Sequence, residues 1–367
     1  MIRNGALALV GLFLTLFTVT GAMAADNYKI GIVTPTLSAS EDEFRGAVRV
    51  SEKYPGRIKH ISLPENYSEE QETAITQILS LGDDPEVKAI VICAGYSGIL
   101  PAIQKMKTKR PELLIITAPI WDDPDMMAKY VDLSLDTDWV ARGRSIPAKA
   151  KNMGAKTFIH YSFPTHMAKE VLAKRRDMMK ETCEKEGMKF VEVSTPDPTT
   201  GAGASPMLQF LQEDIPRQIA RYGQDTAIFG TNCPMQDVII AQALELKFIM
   251  PEQCCPTPTQ GFPAAMELEI SEKDAGNFDV INATIAKKAA DAGVTGRLST
   301  WPVPVGYFFP EFSTELAMQK IDGKLKTFNL ASLQPVAKEV AGVDVHFNAM
   351  KPGLDNYYLI IMDSIIY

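Results

Sequence analysis

Side chains able to hold a small molecule recur just beyond successive apolar, β-branched runs. Thr34, Thr36 and Ser38 follow the run Lys29 to Thr34, Tyr96 and Ser97 follow Ala89 to Cys93, and Trp121 with Asp122 follows Leu113 to Ala118. Asp136 closes the run that begins at Tyr130. Further along, Tyr161, Ser162, Phe163 and His166 occupy the same kind of position. They are followed by Thr195 and Asp197, by Thr231 and Asn232, and by Thr257, Thr259 and Gln260. Hydroxyl and amide groups donate and accept hydrogen bonds without adding charge, and aromatic faces stack on rings. The pattern therefore predicts a site for a polar, ring-containing solute with little net charge, such as a nucleoside or a sugar. Each residue alone has a plainer reading: an aromatic packs, and Ser40 with Glu43 makes a helix capping box. Recurrence at successive strand ends favours a shared site.

Catalytic and metal chemistry find less support. His166, Asp197 and one of Ser162, Ser194 or Cys233 make a nominal triad, but no G-x-S-x-G elbow surrounds a nucleophile. Neither G-x-G-x-x-G nor G-x-x-x-x-G-K-[ST] occurs, so no nucleotide cofactor is expected. His60, His160, His166 and His346 are scattered, and the Asp122 to Asp125 segment lacks the alternation and distal Glu of a calcium loop. An acidic helix start accounts for that segment better. Neither cofactor nor metal is expected. The five cysteines cannot all pair within one chain. Cys233 with Cys254 or Cys255 is the one candidate bridge, and Cys93 reads as a small buried apolar residue.

These residues require strands and helices in alternation to position them. Expected strands are Lys29 to Thr34, Arg57 to Leu63, Ala89 to Cys93, Leu113 to Ala118 and Tyr130 to Leu135, with helices near Glu41 to Lys53, Ser68 to Leu81, Ile99 to Lys107 and Pro124 to Ala128. A second set repeats the pattern. Its strands are Thr157 to Tyr161, Lys189 to Ser194, Thr226 to Gly230 and Gln253 to Thr257, and its helices Thr165 to Gly187, Ser205 to Tyr222 and Met235 to Leu246. The fold class is α/β, with two doubly wound parallel-sheet domains and a ligand cleft between them. Residues 25–137 with about 302–367 form the first domain, and 138–301 the second. Pro302 and Pro304 disfavour helix around Gly296 to Val305, so that stretch reads as an extended crossing with Trp301 at the hinge. A helix Glu311 to Ile321 and a final strand Tyr357 to Ile366 complete the first domain.

Charge and targeting narrow the partners. The formal net charge is −8, and the one basic cluster, Lys169 to Lys185, interleaves Glu and Asp at helical spacing. It reads as a solvated helix face, and nucleic acid is not an expected partner. Met1 to Ala24 has a basic start, an apolar stretch from Ala6 to Val19 and a small-residue cleavage site at Ala22 to Ala24. The stretch is shorter than the roughly 20 residues that span a bilayer. No Cys follows to accept a lipid. The expectation is a signal peptide cleaved near Ala24, a periplasmic location and a monomer with no membrane insertion.

Two similar α/β halves behind an export signal resemble the type I periplasmic binding proteins. The resemblance rests on Lys29 to Thr34 as the opening strand, on Leu135 to Asp138 followed by Gly143 at the first crossing, and on Gly261 to Ala265 after a late strand. More closely, Gly31 to Thr34 with Ser40 to Arg45, Met153 to Pro164 and Glu252 to Pro256 are similar to an uncharacterised family of secreted proteins of that fold. The resemblance implies three crossings and a receptor that closes on a solute and delivers it to a membrane permease. A ligand sensor for a signalling receptor and a secreted enzyme using the same cleft are the alternatives. Thr34, Thr36, Asn232 and Thr257 are expected to hydrogen-bond the solute, with Trp121, Tyr161 and Trp301 enclosing it.

Overall fold

The computed structural model describes residues 28–67, 69–200 and 203–367, so the expected signal peptide, residues 1–24, lies outside the described residues. The first sheet is built from β1 (Lys29–Thr34), β2 (Ile58–Ser62), β3 (Val87–Ile92), β4 (Leu114–Thr117) and β5 (Leu133–Thr137), all parallel, with β1, β3 and β4 the most continuously apolar. The central strands are apolar on both faces because helices cover both. Ile30 and Ile32 of β1, with Ala89 and Val91 of β3, pack with helices Glu41–Lys53, Val305–Ile321 and Leu330–Ala341. Val33, Ile90 and Ile92 point the other way, toward helices Gln71–Asp83 and Leu100–Lys109.

A second parallel sheet consists of β6 (Thr157–Ser162), β7 (Lys189–Ser194) and β8 (Thr226–Gly230), in the order β7-β6-β8. Single parallel bridges, Ala227 to Ile249 and Met250 to Leu298, widen it. Helices Arg142–Asn152 and Glu170–Lys185 cover one face, and Ser205–Tyr222, Met235–Leu246 and Phe278–Asp291 the other. The chain then returns through β9 (Ser299–Thr300) to helix Val305–Ile321, β10 (Val345–Ala349) and β11 (Tyr357–Met362). β11 lies parallel to β5, and β10 runs antiparallel at the edge, giving β10-β11-β5-β4-β3-β1-β2. Finally β12 (Ile365–Ile366) pairs antiparallel with β9. Three links thus join the sheets: after β5, after β9 and between β11 and β12.

Several expected elements change. No strand forms over Gln253 to Thr257; the extended residues are Ile249 and Met250. Pro251 and Pro256 bracket the rest and cannot donate to a ladder. The single helix expected from Thr165 to Gly187 is two, Pro164–Met167 and Glu170–Lys185, separated at the extended residue Lys169. The extended crossing stops at Pro304, where the helix starts six residues before Glu311 because proline is tolerated at a helix start. The final strand breaks at Asp363 and Ser364. Helices Glu41–Lys53 and Val305–Ile321 cross closely. A Cβ on Gly46 would lie 2.7 Å from the Gly306 carbonyl oxygen, and one on Gly306 would lie 2.6 Å from Asp42 Cβ. Two glycines therefore bring the acidic start of one helix against the hinge end of the other.

Candidate functional site

The C-terminal ends of β1, β3, β4 and β5 face the segment around Cys255 to Gln260 and the crossing around Trp301 to Phe309 across a cavity of about 430 Å³. Of the expected site residues, Tyr96, Trp121, Asp136, Thr257, Gln260 and Trp301 line it. All three tryptophans of the chain, Trp121, Trp139 and Trp301, lie on this one cavity, as does Phe309. A larger open depression of about 660 Å³, lined by Arg45, Glu52, Lys273 and Tyr307 among others, lies apart from the strand ends.

The first wall is positioned by Asp122. Its carboxylate accepts from the backbone N–H groups of Gly98, Ile99 and Leu100 at 2.7, 3.0 and 3.1 Å, capping helix Leu100–Lys109 from a neighbouring loop. Ser97 Oγ donates to the Trp121 carbonyl at 2.8 Å, and the Trp121 N–H donates to the Tyr96 carbonyl at 3.1 Å. Tyr96 also stacks on Tyr67 with centroids 4.3 Å apart. These loops thus hold Trp121 over the cavity with 64% of its surface exposed. An exposed tryptophan fixed by its backbone is a ready stacking platform.

The hinge wall is built on Glu252, which is 1% exposed. Arg142 Nε reaches its Oε1 at 2.9 Å, and Lys149 Nζ, Ser364 Oγ and Trp301 Nε1 reach its Oε2 at 2.7, 3.0 and 3.2 Å. Arg142 also donates to the carbonyls of Cys254 at 2.7 Å and Gln253 at 2.6 Å. Arg142, Trp301 and Ser364 come from the three links between the sheets, so one carboxylate ties all three together. Burial pushes the Glu252 carboxyl up, but Lys149 and Arg142 outweigh it and hold it down to about 2. Arg142 also lies behind two cavity aromatics, 5.3 Å from the Trp139 centroid and 5.6 Å from that of Trp301.

The other expected residues are not brought to the cavity. Thr34 is buried, its hydroxyl donating to the Pro35 carbonyl at 2.8 Å and lying 2.8 Å from His60 Nε2. Thr36 and Ser38 bond each other at 3.1 Å in an outer loop. Ser97 supports the wall without lining it. Tyr161 is fully buried and donates to Asp214 at 2.9 Å, because its position in β6 points into the helix-covered core. Phe163 is buried against His166, with centroids 4.0 Å apart. Asn232 does not line the cavity, although its Oδ1 is buried without a hydrogen-bond partner. Nor does the nominal triad assemble. Asp197 accepts from Thr165 and Thr199, His166 Nδ1 lies 3.2 Å from Thr231 Oγ1, and Ser162 Oγ lies 2.9 Å from the same hydroxyl. Ser40 donates to the Glu43 carboxylate directly rather than completing a capping box.

The lining is acidic where a neutral one was expected. Asp42, Glu43 and Asp136 line the cavity, and among the described residues no Lys, Arg or His does so. Asp42 and Asp136 form no salt bridge among the described residues. Burial pushes the Asp42 carboxyl up to about 7, with Glu43 and Glu41 adding to the shift. Burial also pushes Asp136 up to about 7, against the Thr137 N–H that donates to it at 2.6 Å. Cys233 and Cys255 also line the cavity, their Sγ atoms 3.5 Å apart. Sequence reasoning passed over Asp42 and Glu43 because a first-turn carboxylate ordinarily serves the helix dipole. Trp139, just past Asp138 at the first crossing, was detectable by the argument used for Trp301. Among the described residues, no group of three or more His, Cys, Asp or Glu side chains is placed to hold a metal ion, and no helix is long and apolar enough to cross a membrane.

Comparison with known proteins places these features. A family model described as "Protein of unknown function (DUF3798)" matches residues 28–299. An uncharacterized protein of Treponema pallidum (strain Nichols) is 32% identical over 185 residues, covering 48% of this chain and 84% of its own. A solved structure from Clostridium difficile 630, described as a putative transcriptional regulator, is 37% identical with a TM-score of 0.89, covering 93% of this chain and 99% of that one. An ABC transporter solute binding protein from Bradyrhizobium sp. BTAi1 shares the fold at 10% identity, with a TM-score of 0.55 and coverage of 92% and 82%. The architecture is that of the type I periplasmic binding proteins, two α/β lobes flanking a cleft.

Proposed function

The chain belongs to the DUF3798 family, and we propose that it is an exported solute-binding protein whose two lobes close on a small, polar, ring-containing molecule. The observation that carries this reading is the cleft cavity, walled by all three tryptophans and lined from both sides of the hinge. Its volume of about 430 Å³ falls within the usual range for small-molecule sites. Residues 25–137 with about 302–367 make one lobe and 138–301 the other. Closure rotates them about the Glu252 cluster, so solute affinity is coupled to the balance of open and closed forms. The signal peptide ends near Ala24, the protein acts in the periplasm as a monomer, and the closed form engages a membrane permease. A nucleoside or sugar is the simplest ring-containing solute. The likeness to a Clostridium difficile protein described as a transcriptional regulator raises gene regulation as another reading. The net charge of −8 argues against a DNA-binding role for this chain, because duplex binding draws on clustered Lys and Arg.

The test is mass spectrometry of small molecules that copurify with the native protein, followed by calorimetry with the compound found. Trp121→Ala is expected to weaken binding by about 1 to 3 kcal/mol, the range for losing a stacked ring, with little change in melting temperature. Unchanged affinity would remove the cleft as the site.

A further inference from the structure

We propose that the solute is an organic cation, with a quaternary or protonated nitrogen lodged among the cleft aromatics opposite Asp42 and Asp136. This rests on the solute-binding reading and replaces its neutral ring-containing solute with a cation. Three observations point the same way. First, aromatic side chains from separate parts of the chain line one cavity: Tyr96 and the exposed Trp121 from loops after β3 and β4, Trp139 after β5, and the fully buried Trp301 at the hinge. A ring face is the negative end of its quadrupole, and several faces around one volume make an aromatic cage for a cation. Second, among the described residues the lining includes three carboxylates and no basic side chain. Arg142 and Lys149, which stand behind the hinge wall, are both bonded to Glu252 and lie outside the lining.

Third, the carboxylates are already under strain from desolvation. Burial raises both Asp42 and Asp136 to about 7, so each is poised between its charged and neutral forms near neutral pH. A neutral sugar or nucleoside offers these carboxylates hydrogen-bond donors but no counter-charge, and an anion adds repulsion. A cation offsets the desolvation it causes. The groups facing Asp42 are Glu41, Glu43, Arg45 and Tyr307, and those facing Asp136 are Thr137, Asp138 and Tyr357. Of these only Arg45 is positive, and it is engaged with Glu41 at 2.6 Å.

The decisive experiment uses the full mature protein and pairs of probes that differ in charge but not in shape. Binding of choline is compared with its neutral carbon isostere 3,3-dimethylbutan-1-ol by calorimetry. Tetramethylammonium and benzyltrimethylammonium grade the size, and ribose and adenosine serve as neutral ring solutes. The expected result is that at least one cation binds about ten-fold or more tightly than the neutral probes, as a desolvated cation–aromatic contact allows. Asp136→Asn, which keeps the side-chain shape and leaves Asp42 and Glu43 in place, should reduce that preference severalfold while the variant still melts cooperatively, and raising the pH through about 7 should strengthen cation binding in the wild type. Tight binding of ribose or adenosine, lost in Trp121→Ala, would overturn the cation inference and leave the solute-binding reading standing. Failure of every probe, together with no copurifying small molecule, would overturn both.

Discussion

Asp136 provides a measurable link between the cleft and the stability of the fold. In the unfolded chain its carboxyl titrates near the ordinary value of 3.8, whereas burial in the fold raises it to about 7. Between those two pH values the unfolded state has lost the proton and the folded state keeps it. Unfolding therefore releases a proton, and stability falls as pH rises, by about 1.4 kcal/mol per pH unit. The loss is complete above about pH 7 and totals at most about 4 kcal/mol. That figure is a ceiling, because Asp136 keeps part of its surface on the cleft. Asp42 has a raised value of the same size and the same sign, so the wild type should show both slopes and Asp136→Asn only one. The assay is urea denaturation of both proteins from about pH 5 to about pH 8 without added solute, with stability taken from the extrapolated free energy. The variant should be the more stable at the alkaline end, and the gap should shrink steadily toward acid. A gap independent of pH, or a wild type that gains stability relative to the variant as pH rises, would refute the desolvation argument.

Three further outcomes follow from the same geometry. Glu252→Gln leaves Arg142 and Lys149 buried without their counter-charge and should cost about 3 to 5 kcal/mol in denaturant titrations. The Glu252 carboxyl is lowered to about 2, so its own stabilisation is present above its ordinary value of 4.5 and should be lost as pH falls toward 2. Diamide should oxidise Cys233 and Cys255, two thiols giving up two protons and two electrons to the reagent, and peptide mapping should find that pair linked. Cys254 should stay out of it, since it is buried with its Sγ 3.1 Å from the Thr231 carbonyl oxygen and does not line the cavity. Gly46→Ala should lower stability by about 1 to 3 kcal/mol in a thermal melt, because its new Cβ meets backbone atoms of Gly306 and Tyr307 that cannot swing aside.

The alternation of strands and helices and the duplicated α/β pattern were legible in residue order, because local periodicity and turn chemistry encode them. So was the sheet edge at which the cleft opens: Tyr96 and Trp121 follow β3 and β4, Asp136 lies near the end of β5, and all three line the cleft, as do Thr257 and Gln260 from a segment that forms no strand. The reading erred where a strand end is covered. Tyr161 occupies the same penultimate position in β6 as Asp136 does in β5, and Phe163 lies just past β6, yet helices close over both, and no single segment announces which neighbour will cover it. The same limit hid Asp42, whose place on the cleft depends on two glycines, Gly46 and Gly306, lying far apart in sequence and letting two helices meet. Nor does spacing reveal that Glu252 gathers Arg142, Lys149, Trp301 and Ser364. Residue order thus sets the elements, their succession and the sheet edge at which a cavity opens. Which side chains share that cavity, and what charge they carry there, emerges on folding, because burial and electrostatic pairing are properties of residues brought together from distant parts of the chain.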